Sequence, residues 1–470
     1  MPLPVLTIAQ MRDWEKATWA TGQTEAEVIR RVGQCIAHQA VKLTRPGDRL
    51  LILAGKGNNG ADARSARDYL TDRQLDLLPV TDPVQDLPKL DALLALRPNL
   101  VIDGLLGIGL SRPLGPEWVA FIQRINSRGV RVLAVDVPSG LDGDTGQPQG
   151  AAVRAQVTLT VGASKAGMLQ EAAWPFVGRL EVAQEVGLVP PTFKTELQWT
   201  LSKDFAGFPP PRAAATHKGT YGHLAIIAGS LGYHGASVLC ARGAQRAQPG
   251  LITLFTLEQV YYPVASQLQA VMVSPLRRDF QITIQPTAYL TGPGLAAPDI
   301  PDALKTTVRH LWRDSHLPIV VDASALDWLP MGSVPKDSLR VITPHPGEAA
   351  RLMGASPQYV QSNRLRALRA ISKRFGDCWV VLKGHQTLVG RSTGEVYVNC
   401  SGNPHLAQGG SGDVLSGYLA GLLAQPALAA NPLQTIRYAV WQHAVAADLL
   451  QTQRTNWVVE DLIDTIGSVA

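Results

Sequence analysis

The chain has 470 residues, and length alone predicts two or three domains. Its 43 Lys and Arg against 38 Asp and Glu leave a net charge of +5, scattered rather than run together, which excludes an acidic solvating chain and gives no footprint for nucleic acid. Apolar residues at 46% indicate a globular protein, and the 43 Gly and 33 Pro fall in short loop motifs, which excludes collagen-like and low-complexity classes.

The opening MPLPVLTIAQMRDWEKATW carries Arg12, Asp13, Glu15 and Lys16 where a signal peptide needs its apolar stretch. Four apolar runs follow: RLLILAG (49–55), NLVIDGLLG (99–107), VRVLAVDVPSG (130–140) and AQVTLTVGASK (155–165). Near-continuous apolar strands imply burial on both faces, as in parallel sheets. Loops of Gly, Asn, Asp and Ser close them at the edge where open α/β sheets bind ligands. Two proline clusters between 187 and 215 read as a linker, so the predicted domains are 1–200 and 201–470. Strand and helix then alternate again through YGHLAIIAGS, GLITLFT, LPIVVDAS, RVITPHPGE, CWVVLKG and GEVYVNC. The fold class expected is α/β in both halves. Cys35, Cys240, Cys378 and Cys400 are far apart with no CxxC pair, so neither a zinc ribbon nor a disulfide framework is expected. No apolar run reaches the roughly eighteen residues of a spanning helix, and a cytoplasmic protein with no membrane partner is the simplest expectation.

In the first half, LILAGKGNNGAD (51–62) is a strand, a glycine-rich loop and a helix start. Asn58 and Asn59 offer side-chain and backbone groups suited to a phosphate, a hard monovalent cation, or both. Asp103 ends a second strand in DGLLGIGLSRP, and Asp136 and Ser139 end a third in DVPSGLDGDTG. Each loop alone is ordinary turn chemistry. Three converging on one sheet edge predict a site, with Asp136 as the residue that handles a proton.

In the second half, GNPHLAQGGSGDVLSGYLAGLLAQ (402–425) sets Gly409, Gly410, Ser411 and Gly412 before Asp413 and an apolar helix. A glycine turn at a helix N-terminus presents free amides to a phosphate, and a carboxylate there can accept a proton from an attacking hydroxyl. TGPGL (291–295) exposes amides in a tight turn. VVLKGHQTLV (380–389) sets Lys383 and Thr387 around a turn, suited to nucleotide phosphates or base edges. TPHPGEAARL (343–352) puts His345 in a proline-stiffened turn and Glu348 at a helix start.

The ordered set KGxYG, GPGL, VDAxAL, TPHPGE, LKGxxT and NPxxxxGGxGD, covering nearly all of 205–470, resembles the nicotinamide-hydrate dehydratase branch of the ribokinase-like superfamily. The resemblance implies dehydration of the S form of hydrated NADH or NADPH (NADHX, NADPHX) driven by ADP with Mg2+, ATP being possible. It makes Asp413 the catalytic base, gives Lys383, Gly384, His385, Gln386, Thr387 and Gly412 to the nucleotide, and gives Ala236, Gly294, His345 and Asp413 to the hydrate. Residue Ser324 replaces the family's second Asp in VDADAL, with Asp322 retained.

Over 1–200 the motifs GxGNNGxD, DxLLGxGL, VDxPSG and VGAxKxG resemble the nicotinamide-hydrate epimerase domain. That resemblance implies a potassium ion on Asn59, Asp103 and Ser139. It also implies hydrate binding by Asn58, Asn59, Gly60, Ala61 and Asp62, by Gly107, Ile108, Gly109, Leu110, Ser111, Arg112 and Pro113, and by Asp136. Lys165 matches the family's late lysine. Three positions depart from the family: Ala61 replaces a glycine, Ile108 a threonine and Gln156 an acidic residue. If Ala61 needs a positive φ, the cost is on the order of 1 kcal/mol. Together the resemblances imply two three-layer αβα domains, Rossmann-like and then ribokinase-like, in a homo-oligomer that repairs damaged nicotinamide cofactors. The alternative is a ribokinase-like small-molecule kinase carrying an N-terminal nucleotide-binding module.

Overall fold

The computed structural model describes residues 3–110, 112–277 and 282–469. The chain divides into two compact units, Leu3–Trp199 and Thr200–Ala470.

The first unit holds a six-stranded, all-parallel sheet in the order Gln74–Pro79, Arg49–Ala54, Leu100–Gly104, Val132–Val135, Val157–Val161, Arg179–Ala183. Side chains alternate across a strand, so adjacent residues feed different cores. Leu50, Ile52, Leu100, Ile102, Leu133 and Val135 pack under Val28, Val32 and Ile36 of the helix Glu25–Leu43. Leu51, Leu53, Val101 and Val132 pack under Leu90 and Leu94 of Pro83–Ala95 and Phe121, Ile122 and Ile125 of Pro116–Ser127. Both faces are thus covered, which is why these strands read as unbroken apolar runs. Thr24 and Glu27 form a capping box that starts the first of these helices. The chain order reverses between Arg49–Ala54 and Leu100–Gly104, and the crevice beyond their carboxyl ends is where such sheets bind ligands.

In the second unit nine strands run in the order Val396–Asn399, Thr387–Gly390, Trp379–Leu382, Arg340–Ile342, Ile319–Val321, Ala288–Thr291, His223–Ile227, Leu251–Leu257, Met272–Leu276. Strands from Trp379–Leu382 onward are parallel; Thr387–Gly390 pairs antiparallel with both its neighbours, Trp379–Leu382 and Val396–Asn399. The reversal here lies between His223–Ile227 and Ala288–Thr291. At their carboxyl ends Gly229 N–H donates to Pro293 O at 2.9 Å and Ser230 Oγ to Gly294 O at 2.6 Å. Both units are therefore α/β as expected.

The strands that the sequence did not announce are mainly edges. Gln74–Pro79, Arg179–Ala183 and Met272–Leu276 are half-exposed and polar-interleaved, and the last contains Pro275, tolerated because an edge strand has free donor positions. None of the four cysteines is in a disulfide. Among the described residues no helix is long and apolar enough to cross a membrane.

The helix Ser411–Leu423, which carries Asp413, lies against His234–Arg246 through glycines. A Cβ on Gly417 would sit 1.9 Å from Cys240 O, and one on Gly243 2.4 Å from Val414 O. Gly417→Ala should therefore lower stability by about 2–3 kcal/mol, since overpacking outweighs the roughly 1 kcal/mol of helix propensity that alanine gains. Urea unfolding of the purified protein reads this; an unchanged midpoint would show that the two helices can separate freely.

Candidate functional site

In the first unit the strand ends Gly55–Asn59, Leu105–Leu110 and Asp136 surround a cavity of about 540 Å3 at the chain reversal. Its wall is completed by Arg12 and Glu15 of the helix Ile8–Trp19, Glu25, Lys56, Asp62 and Arg112. Asp136 follows its strand with φ +64, a strained backbone held by its surroundings. Its Oδ1 accepts from Val161 N at 2.9 Å, from Thr160 Oγ1 at 3.2 Å and from the fully buried Lys165 Nζ. Lys165 Nζ also donates to Thr160 Oγ1 at 2.9 Å and Val161 O at 3.0 Å. Beside this pair burial, then the charges of Asp136, Glu15 and Glu25, push the Asp62 carboxyl up to about 8. Burial and Asp136 likewise raise Glu15. Asp62 thus holds its proton at neutral pH.

Asp103, near the carboxyl end of Leu100–Gly104, is fully buried. Its oxygens accept from Ser139 Oγ at 2.6 Å, Ser139 N at 2.9 Å and Leu105 N at 3.3 Å, yet burial still raises its pKa. Asn59 Nδ2 and Ser139 Oγ both reach the Leu106 carbonyl, each at 3.1 Å. Asn59 Oδ1 is buried with no hydrogen-bond partner among the described residues. Asn59 and Ser139, named with Asp103 in the sequence, thus meet at one carbonyl, and Asp103 joins them through Ser139.

The expectation about Ala61 is corrected. It sits inside the helix Asn58–Ser65 and is not among the positive-φ residues, so alanine costs nothing there. The glycine that geometry requires is Gly60, whose Cβ would lie 2.0 Å from Gly55 O. Gln156 precedes the strand Val157–Val161, at the edge of the sheet opposite the cavity, so its lost charge does not reach the site. Gly107, Ile108, Gly109, Leu110 and Arg112 line the cavity; Pro113 and Gly60 do not, and Ser111 lies outside the described residues. Nothing in the sequence marks Glu15, Glu25 and Arg12 as lining a cavity, because amphipathic helices place such residues on solvated faces by default.

In the second unit Gly410, at φ +94, caps the helix Ser411–Leu423. Helix geometry leaves the amides of Gly412 and Asp413 without an intrahelical acceptor, at the positive end of the dipole. Burial, with help from Asp322 and Glu348 and opposition from Lys383, pushes the Asp413 carboxyl up to about 7. Lys383 Nζ bonds Asp322 Oδ1 at 2.8 Å and lies 3.9 Å from Glu348 Oε2. Burial pulls this ammonium down, but Asp322 and Glu348 outweigh it and hold it charged. A Cβ on Gly412 would stand 3.2 Å from Lys383 Nζ, so lysine and helix start face each other. His345 caps the helix Pro346–Met353, its Nδ1 accepting from Gly347 N at 3.0 Å. Ala236 and Gly294 also meet: a Cβ on Gly294 would be 3.1 Å from that of Ala236. Thr387 Oγ1 closes the turn from Lys383 by donating to Gly384 O at 3.0 Å. His443, pushed down to about 4 by burial, bonds Ser411 O at 3.0 Å beneath the helix Ser411–Leu423. Asp322 and Glu348, to which the sequence assigns no role, complete the cluster around Lys383. The signal available was position: each carboxylate follows an apolar strand at its carboxyl end.

A family model described as NAD(P)H-hydrate dehydratase matches residues 224–467, and one described as YjeF-related protein N-terminus matches 65–167. A bifunctional NAD(P)H-hydrate repair enzyme of Coxiella burnetii is 32% identical over 93% of this chain and 93% of its own. This chain belongs to the bifunctional NAD(P)H-hydrate repair enzyme family. Members from Gloeobacter violaceus and Escherichia coli are 33% and 30% identical, over 95% and 97% of the chain. A crystal structure of an ADP/ATP-dependent NAD(P)H-hydrate dehydratase from Bacillus subtilis, co-crystallised with ATP and Mg2+, matches 55% of this chain and 92% of that one, with 29% identity and a TM-score of 0.50. A ribokinase-like protein of Enterococcus faecalis, 23% identical with a TM-score of 0.51, shares the fold of the second unit. The match to the repair-enzyme family thus runs through both units of the chain.

Proposed function

We propose that Leu3–Trp199 epimerises the R and S hydrates of NADH and NADPH and that Thr200–Ala470 dehydrates the S form at the expense of ADP or ATP. The observation that carries the reading is Asp413, a carboxyl raised to about 7 beside free helix amides and Lys383. Hydroxide is a poor leaving group and phosphate a good one. Asp413 takes the proton of the hydrate's ring hydroxyl as that oxygen attacks the terminal phosphorus, and the nucleotide leaves shortened by one phosphate. The ring nitrogen lone pair then expels the phosphate, and loss of the adjacent ring C–H proton restores the dihydronicotinamide. The amides of Gly412 and Asp413 and the Lys383 ammonium neutralise the transferring group, where charge develops. Mg2+ bound with the nucleotide supplies further neutralisation there.

In the first unit Asp136 handles the proton at the carbinol centre, while Asn58, Asp62 and the Gly107–Leu110 loop orient the hydrate and Arg112 meets its phosphates. The orphaned Asn59 Oδ1, the Asp103 carboxylate and the Ser139 hydroxyl are hard oxygen donors that fit K+. A bound K+ would offset the Asp103 charge next to the hydrate's phosphates.

The test mixes the purified chain with racemic hydrate, Mg2+ and either ADP or ATP and follows recovery of reduced-nicotinamide absorbance with release of phosphate. Full conversion supports both activities; a stable phosphorylated product would identify a kinase instead. The free-enzyme profile should follow Asp413: the base must be ionised, so dehydratase kcat/KM should rise with pH and reach half its plateau near pH 7. A limb near pH 4 would separate catalysis from this carboxyl.

A further inference from the structure

We propose that Arg364 is a positioning residue for the nucleoside di- or triphosphate: its buried guanidinium pins the Lys383–Gln386 turn from beneath and leaves its own positive charge for the ligand to balance. Arg364 opens the helix Arg364–Arg374 and is 8% exposed. Nη2 donates to the carbonyls of Leu382 at 3.0 Å, Lys383 at 3.4 Å and Gln386 at 3.4 Å, and Nη1 to Gln361 Oε1 at 2.9 Å. The turn wraps closely enough that a Cβ on Gly384 would stand 3.3 Å from Nη1. Gly384 takes φ +124 freely, but Gln386, at φ +56, is a non-glycine residue in the left-handed region that such a clamp helps to hold.

The four oxygens are all neutral. Three carbonyls could be satisfied by a neutral donor, whereas burying a cation costs several kcal/mol unless an opposite charge answers it. Burial lowers Arg364 to about 10, which leaves it charged at neutral pH. Lys383, in the same turn, is matched by Asp322 and Glu348, so its charge is largely answered within the protein. That of Arg364 reaches the turn's outer side: after burial, it is what lowers the His385 imidazole. An anionic ligand on the turn would meet a positive potential from below and a neutral histidine beside it.

This inference rests on reading Lys383–Thr387 as the nucleotide seat, and the experiment separates the two. In the full-length enzyme, Arg364→Lys keeps the charge and loses the fork, Arg364→Gln keeps a donor and loses the charge, and Thr387→Ala probes the seat itself. Epimerase rate and circular dichroism check the fold. KM for ADP, KM for the hydrate and kcat are measured, with calorimetric binding of ADP and of adenosine. Arg364→Gln should weaken ADP roughly tenfold or more, because the turn loses its clamp and the ligand's phosphates lose the answering charge. Adenosine binding and hydrate KM should change far less, and Arg364→Lys should retain most of the ADP preference over adenosine. Equal weakening of ADP and adenosine in Arg364→Gln would reduce Arg364 to a structural clamp and overturn the proposal. If that variant does not fold, loss of the ADP preference in Arg364→Lys overturns it equally. Thr387→Ala weakening ADP while both Arg364 variants bind normally would sink the inference alone. All three variants binding normally would sink the nucleotide seat with it.

Discussion

Asp413→Asn should lose dehydratase turnover by roughly 10²–10⁴-fold, the usual yield of general-base catalysis, while epimerisation continues at the wild-type rate. Asparagine has the same shape, so the glycine turn and the approach of Lys383 to Gly412 should persist. What disappears is the carboxylate at the helix start proposed to take the hydroxyl proton. The fold should gain from the change. Asp413 is raised from 3.8 to about 7 by burial and by Asp322 and Glu348, so its ionisation works against folding. For a carboxyl with a raised folded pKa, the native state binds more protons than the unfolded chain between the two values. Wild-type stability is therefore spent as pH rises from about 4 to about 7, and the variant's advantage should grow across that window. Paired urea titrations at pH 5 and pH 8 read this directly. A variant that turns over normally, or one less stable than wild type at pH 8, would remove Asp413 from the role of a strained base.

The structure shows why parts of this could be read from the sequence. Central strands such as Arg49–Ala54 and Leu100–Gly104 are buried on both faces, so composition alone marks them. Edge strands carry no such mark, and Gln74–Pro79 reads as a loop. The same contrast holds in the sites. Gly410, Gly412 and Asp413 act through local backbone, and their spacing is the signal. Lys383, Asp322 and Glu348 meet only because Ile319–Val321, Arg340–Ile342 and Trp379–Leu382 are neighbours in one parallel sheet, lysine and aspartate being 61 positions apart in the chain. Arg364 is further hidden, since a basic residue opening a helix gives no hint of burial. The departures at Ala61 and Gln156 looked costly for a related reason. Their consequences depend on backbone angle and on which sheet edge they occupy, and neither quantity is written in the residue type.

The second large effect belongs to the Asp136–Lys165 pair. With racemic hydrate, nucleotide and Mg2+, Asp136→Asn should leave the fast phase, consumption of the S half, untouched. The slow phase should drop by roughly 10²–10⁴-fold toward the spontaneous rate of R-to-S interconversion. The Asn Oδ1 can still accept from Val161 N and Thr160 Oγ1, so the strained turn at φ +64 keeps its hydrogen bonds. Lys165, fully buried, then has no counter-charge in this pair. Breaking a buried pair on one side costs about 3–5 kcal/mol, and Lys165→Met should cost a similar amount by stranding the carboxylate. The double variant Asp136→Asn/Lys165→Met should be more stable than the sum of the singles, because neither charge is left alone. Asp62 supplies a readout independent of rate. Asp136 is the first charge after burial among the causes that hold Asp62 at about 8, so its titration should move down in Asp136→Asn. A slow phase that survives in this variant while the Asp62 titration moves would place the proton on Asp62 rather than on Asp136. If neither changes, the carbinol centre does not sit in this cavity at all.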